Sequence, residues 1–303
     1  MHDAEAIHPT PLLVRWLTWP VAFLLAIGGT FLARHFGLDQ VAVSGAASGL
    51  LILVLIVLER LWPADPKWRM TWRSFFRDIQ FILVNGLTIA ATNTAFAAIG
   101  VAAASNHSGP LAAWPLWIAV PVGIFVVDFI QYWEHRIAHQ SSGPLGRLMW
   151  RSHAAHHLPE QVYVLMHPAS HPIYTFLIQA LATILPLYLL GFTPEAVILV
   201  NLVIGVQGII SHSNLDLRAG WFNYVLVGPE LHRYHHSADL KEAGNYAVAL
   251  PLLDLLFGSF VYRPGRLPER IGVADTSEYP RSVEVWKVML LPFHPGIGRR
   301  RAH

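Results

Sequence analysis

Six stretches of mostly apolar residues, at 19–36, 41–58, 79–103, 111–133, 173–190 and 194–210, dominate this sequence. A helix needs about 20 such residues to cross the hydrocarbon core of a bilayer. The first four stretches meet that requirement. The last two are shorter and separated only by the "GFTP" turn, so they are expected to form a tight helical hairpin or one that does not fully cross. Inside hydrocarbon every backbone N–H and C=O must be satisfied within the chain. The expected fold is therefore all-α: an integral membrane helical bundle of about four long spans plus the short hairpin. Composition agrees, since 13% of residues are charged where soluble domains carry about 25%. The opening residues, "MHDAEAIHPTPLLVR", lack a basic region and a small-residue cleavage site close after an apolar run, so no cleaved signal peptide is expected.

Lysine and arginine set the expected orientation. The 59–78 segment, "ERLWPADPKWRMTWRSFFRD", holds five of them, whereas "RHFGLD", "ASNHSGP" and "GFTP" on the other side contribute only Arg34. Both termini, the 59–78 loop, the 134–172 region and everything after 211 are then expected to face the cytoplasm, in the inner membrane if the cell is bacterial. The formal charge of +2 is spread over short loops, which leaves no basic face dense enough to track a nucleic-acid backbone. The chain has no cysteine, which excludes disulfides, thiolate zinc sites and cysteine-held iron–sulfur clusters.

Against this background the histidines stand out. His135 and His139 are four residues apart, so a helix puts them on one face. His153, His156 and His157 form an H-x-x-H-H motif, and His232, His235 and His236 repeat it. With 17 histidines in 303 residues, one such motif is expected by chance roughly 0.05 times per chain, and two about once in a thousand chains. All three groups fall just beyond the ends of apolar runs on the same expected side. Clustered imidazoles repel when protonated, and their buried nitrogens need partners. A divalent cation resolves both problems, because neutral imidazole ligates iron, zinc, copper and nickel. Eight clustered histidines exceed what one ion can hold, so two metals are expected. His212 in "SHSNLD" is a ninth candidate ligand and His171 in "HPASHPIY" a tenth, with His167 structural or adjacent to the ligands. His2, His8, His35, His107, His294 and His303 are isolated and read as packing or surface residues.

Two divalent ions on neutral ligands also call for nearby anions. Asp128 lies seven residues before His135, on the helical stripe Asp128, Tyr132, His135, His139. An intramembrane carboxylate is costly and is a functional candidate by default. Its expected task is to accept the second N–H of a ligating imidazole. Asp239 and Asn245, in "HHSADLKEAGNY", are weaker candidates for the same support.

The pieces "DFIQYWEHRIAH", "RSHAAHH", "SHSNLD", "PELHRYHHSAD" and "NYAVALPLLDLLFGSF", in that order, resemble the fatty acid hydroxylase / sterol desaturase superfamily of membrane histidine-rich oxygenases. The resemblance implies a helical membrane anchor with a cytoplasm-facing helical cap and a dimetal site. That site is usually taken to be di-iron, with zinc possible in isolated protein, and uses O2 and two electrons to hydroxylate or desaturate a lipid carbon. Carried onto this chain, the ligands are His135, His139, His153, His156, His157, His212, His232, His235 and His236. The implied division is anchor helices and basic loop over 1–118, a catalytic core over 119–262, and an interfacial C-terminal segment over 263–303.

The implied substrate is a fatty acyl, sterol or hopanoid, carotenoid or ether lipid entering from the bilayer. No nucleotide-binding motif or reductase segment is visible in the sequence, so a separate electron donor is expected, a ferredoxin or a b-type cytochrome with its reductase. Arg147, Arg151, Arg233 and Lys241 would form its docking surface or serve attraction to the membrane surface. The alternatives are a zinc-dependent membrane hydrolase using Glu134 or Glu160 as base, and a catalytically silent metal-containing lipid-binding relative. A metal transporter would place ligands near the bilayer midplane, where this chain has almost no histidine.

Overall fold

The computed structural model describes residues 9–103 and 109–294. Among these the regular structure is helical, with only two isolated β-bridges, Pro63–Leu215 and Ser237–Ile271. The long helices are α1 (Leu12–His35), α2 (Gln40–Leu61), α3 (Trp72–Ala103) and α4 (Leu116–Gln140). After α5 (Pro144–His157) come α6 (Pro172–Leu177), a π-helical segment (Ile178–Ile184) and α7 (Leu185–Leu190), then α8 (Pro194–Ser211). Short helices α9 (Pro229–His235), α10 (Leu252–Phe257) and α11 (Val285–Met289) complete the chain.

Six helical stretches are long and apolar enough to cross a bilayer, and they make this a multi-pass membrane protein: α1, α2, Trp72–Phe96 of α3, α4, Pro172–Leu190 and α8. The hairpin therefore reaches spanning length, at 19 and 18 residues. Its first arm is not a regular α-helix. Pro186 has no N–H to continue the ladder, and its ring would collide with the carbonyl four residues back. The turn ahead of it widens, and the Leu185 N–H reaches the Ala180 carbonyl five residues back.

Helices α1, α2 and α8 share one apolar cluster that includes Ala22, Ala26, Leu55, Leu202, Val206 and Ile210. Helices α4, α7 and α8 share another, with Val127, Leu187, Ala196 and Val200 at its centre. The outward faces remain apolar: Leu24, Leu50, Leu87 and Trp117 are all exposed. In water such a belt would be a liability, and in a bilayer it is the lipid-facing surface.

Everything that carries histidine clusters collects at one end of this bundle. The C-terminal segment, expected as an interfacial stretch, packs there as well. Val285, Val288 and Leu291 join Phe81, Ala155 and Leu158 in a common apolar cluster. The Gly272 N–H donates to the His236 carbonyl (2.9 Å), and the Ala238 N–H to that of Arg270 (2.9 Å). The basic residues after 294 lie outside the described residues.

Candidate metal centre

Four helix ends deliver the histidines. His135 and His139 occupy the last turns of α4, and His153, His156 and His157 end α5. A tight link joins these two helices. A Cβ on Gly146 would lie 2.2 Å from the Ser141 carbonyl oxygen, so a side chain there would force the helices apart. His212 caps α8, and His232, His235 and His236 lie at the end of α9.

The nine rings sort into two groups. His135, His139, His153, His157 and His235 form one; His156, His212, His232 and His236 form the other. Within each group the donor nitrogens all lie within 4.8 Å of one another. Each H-x-x-H-H motif is divided between the groups. Helix α5 gives its first and third histidines to the five-membered group and its middle one to the other, and α9 does the reverse. The groups abut, with the rings of His157 and His236 stacked at 4.6 Å.

Proton placement decides what this arrangement can hold. The Nδ1–H groups of His135, His156, His212 and His235 donate to the carbonyls of Tyr246 (2.7 Å), Ala169 (3.2 Å), Gly208 (2.7 Å) and Gly244 (2.9 Å). A neutral ring with its proton on Nδ1 presents a bare lone pair at Nε2. The Nε2 atoms of His156 and His212 nevertheless lie 3.0 Å apart. Neither can donate to the other, so two lone pairs face each other. The same close approach recurs between His212 and His232 (2.9 Å), His232 and His236 (3.0 Å), and His157 and His235 (3.0 Å). Protonation is no remedy. Burial holds His153, His157, His212, His232, His235 and His236 well below the ordinary imidazole value and pushes His156 down to about 3. Converging neutral lone pairs fit a cation in each group. Five and four nitrogen donors would leave about one and two open positions on six-coordinate ions.

The carboxylates act differently from the sequence expectation. Asp128 accepts no imidazole N–H. Its oxygens take the backbone N–H groups of Val248 (2.8 Å), Ala249 (3.0 Å) and Leu250 (2.8 Å). Asp254 takes those of Tyr246 (2.8 Å) and Ala247 (3.0 Å). Two buried carboxylates thus hold five consecutive amides. Tyr246 at the head of that segment carries the carbonyl that fixes His135, and Gly244, whose carbonyl fixes His235, lies two residues before it. Asn245 between them is the only described non-glycine residue with positive φ (+57°). Its amide holds the conformation by donating to the Leu231 and Val261 carbonyls and accepting from the Val261 N–H. Asn245 supports the site through the backbone, not through a metal. Asp239 is exposed and caps a turn by accepting the Lys241 N–H (3.0 Å).

His171 joins neither group. Its Nδ1 accepts the Ile173 N–H at the start of α6, and its Nε2 lies 3.1 Å from the Met289 carbonyl, so backbone occupies both nitrogens. His167 is adjacent to the ligands, its ring 4.7 Å from that of His212. His35 is exposed at the far end of α1, and His2, His8, His107 and His303 lie outside the described residues. Arg151 and Arg233, expected on a docking surface, are buried. The Arg233 guanidinium donates to the Ser213 and Leu215 carbonyls and fixes the segment that follows His212.

Sequence reasoning assigned no role to Asp254 or Glu59. Asp254 carried a signal, because it is the only charged residue between Glu242 and Arg263. The cost argument that singled out Asp128 applies to it equally. Glu59 Oε1 accepts the N–H groups of Val164 (2.9 Å) and Asn214 (2.6 Å), tying α2 to the loops that flank His167 and His212. Nothing in its local sequence separates it from an ordinary helix-end glutamate.

Comparison with known proteins places this geometry. Residues 120–259 match the model of the family described as fatty acid hydroxylase. The chain is 32% identical over 266 residues to ornithine lipid hydroxylase OlsE of Rhizobium tropici, covering 85% of this chain and 78% of that one. It is 28% identical over 191 residues to alkylglycerol monooxygenase of Danio rerio, covering 62% and 38% respectively. Methylsterol monooxygenase 2-2 of Arabidopsis thaliana is 28% identical over 181 residues, covering 58% and 64%. No solved structure matches.

Proposed function

From the premise that this chain belongs to the fatty acid hydroxylase family, we propose that it is a membrane-embedded, O2-dependent di-iron enzyme that hydroxylates a lipid, with ornithine lipids as the favoured substrate class. The observation that carries this reading is the facing pair of Nε2 lone pairs on His156 and His212. Only a cation between the rings makes that arrangement favourable. The ornithine lipid assignment rests on similarity to OlsE, and hydroxylation over desaturation on the hydroxylase and monooxygenase relatives.

Bound iron would supply activation of dioxygen and removal of hydrogen from an unactivated C–H bond. The chain supplies the rest. Backbone carbonyls at 169, 208, 244 and 246 hold four imidazoles in the ligating tautomer. Asp128 and Asp254 hold the segment bearing the Tyr246 carbonyl. The buried walls exclude water from the reacting carbon. Electrons come from a separate one-electron carrier, a ferredoxin or a b-type cytochrome with its reductase. The lysine and arginine distribution supports a cytoplasmic face for the centre and both termini.

The test is turnover. Full-length protein loaded with ferrous iron in nanodiscs containing ornithine lipid, given a ferredoxin system and isotopically labelled dioxygen, is expected to yield lipid carrying one labelled oxygen atom. Iron-loaded, folded protein that consumes no oxygen with any bilayer lipid would overturn the proposal.

A further inference from the structure

A cavity lies apart from the histidine groups, where the ends of α2 and α3 meet the loop between them. Its volume is about 620 Å³, within the range of roughly 300–1,000 Å³ that encloses small-molecule ligands. Ile56, Trp68, Met70, Trp72 and Phe75 give it an apolar wall. Trp72 is exposed, at 77%, and packs edge-on against Phe75 with ring centroids 5.9 Å apart. Tryptophan at the end of a spanning helix marks the depth where acyl chains meet headgroups.

The polar part of the wall is cationic. Arg60 and Arg69 both line the cavity. Arg60 is exposed on the last turn of α2, and among the described residues no carboxylate pairs with it. Glu59 in the same wall makes no ion pair with Arg60, and its Oε1 accepts two backbone N–H groups instead. Asp65 in the connecting loop is committed as well, with Oδ1 accepting the Lys67 N–H (2.8 Å). An uncompensated guanidinium above an aromatic pocket at headgroup depth complements an amphiphile with an anionic head.

We propose that this cavity docks a bilayer lipid bearing an anionic headgroup, a phosphate or a carboxylate, with the anion held at Arg60 and the chain lying along Trp68, Trp72 and Phe75. Asn214 lines the same cavity and stands two residues beyond His212. A docked lipid therefore rests against the segment that carries a candidate ligand. The site requires no metal, so it stands or falls separately from the oxygenase reading.

Native mass spectrometry of the metal-free, full-length protein, released from micelles with equal phosphatidylglycerol and phosphatidylcholine, tests this. The native protein is expected to retain phosphatidylglycerol about tenfold over phosphatidylcholine, the scale of one charge-assisted contact. Arg60→Gln is expected to bring that ratio to parity, and Met70→Trp, which fills the cavity, to reduce retention of both lipids. Arg73→Gln removes an exposed cation at the same end but outside the cavity, and is expected to leave the ratio unchanged. Equal retention of both lipids by the native protein would overturn the proposal. So would an equal loss in Arg73→Gln and Arg60→Gln, which would mean general surface attraction, or uptake of inorganic phosphate without retained lipid, which would mean a free-anion site.

Discussion

Replacing Asp128 with alanine is expected to prevent most of the protein from folding. The change strips the N–H groups of Val248, Ala249 and Leu250 of their acceptor in a fully buried place. Each orphaned amide costs about 1–3 kcal/mol, so the sum is on the order of 3–9 kcal/mol. Whole domains are stable by only about 5–15 kcal/mol. Asp128→Asn is the more informative variant, because it keeps volume and one acceptor oxygen. It is expected to fold and to lose metal affinity about 10–100-fold, the usual scale for support behind a ligand. The loss should be selective. With Asp254, Asp128 fixes the 246–250 run that carries the Tyr246 carbonyl on His135, and His135 belongs to the five-histidine group. Metal content after challenge with a graded chelator should show one ion leaving early while the other stays. Simultaneous loss of both ions, or wild-type retention of both, would show that Asp128 does not position that group.

Replacing His156 with alanine should have the largest effect on chemistry. It removes one of four donors from the second group and takes away the ring whose Nε2 faces that of His212. Bound metal is expected to fall from about two ions per chain to about one, and lipid oxidation to background, since a three-imidazole remnant binds metal weakly. His35→Ala, at the exposed end of α1, should change neither. Inductively coupled plasma analysis with the oxidation assay reads both outcomes. Equal damage in the two variants would mean that general instability, not ligation, is being measured.

Much of this molecule could be read from residue spacing. Apolar runs set the helical membrane fold, and imidazoles three and four residues apart share a helix face whatever the tertiary packing. Eight of the nine histidines were therefore identifiable from spacing, whereas His212 stands alone and was picked out by its place at the end of an apolar run. The division of the nine into five and four was not identifiable, because it depends on how α5 and α9 cross. Each motif turns its middle ring toward the opposite group, and only tertiary contacts decide that. Asp128 illustrates a different limit. The cost of burying a carboxylate marked it as important, but the choice of partner depended on backbone 120 residues away. The Tyr246 carbonyl already takes the N–H of His135, the imidazole on the same stripe, and Asp128 takes amides instead. His171 satisfied the same compositional logic as the ligands, yet a helix start and the Met289 carbonyl occupy its nitrogens. Whether the hairpin arms reach spanning length was open in the sequence; as helices they run 19 and 18 residues, and the π-helical turn ahead of Pro186 keeps the first arm continuous.

Counting metal on intact protein bears most directly on the convergence of the nine imidazoles. Purified full-length chain is loaded anaerobically with ferrous iron, cleared of loose metal on chelating resin, and examined by elemental analysis and X-ray absorption. About two iron ions per chain with a first shell dominated by nitrogen is the expected result. A folded chain that retains one ion or none would contradict the two-group centre.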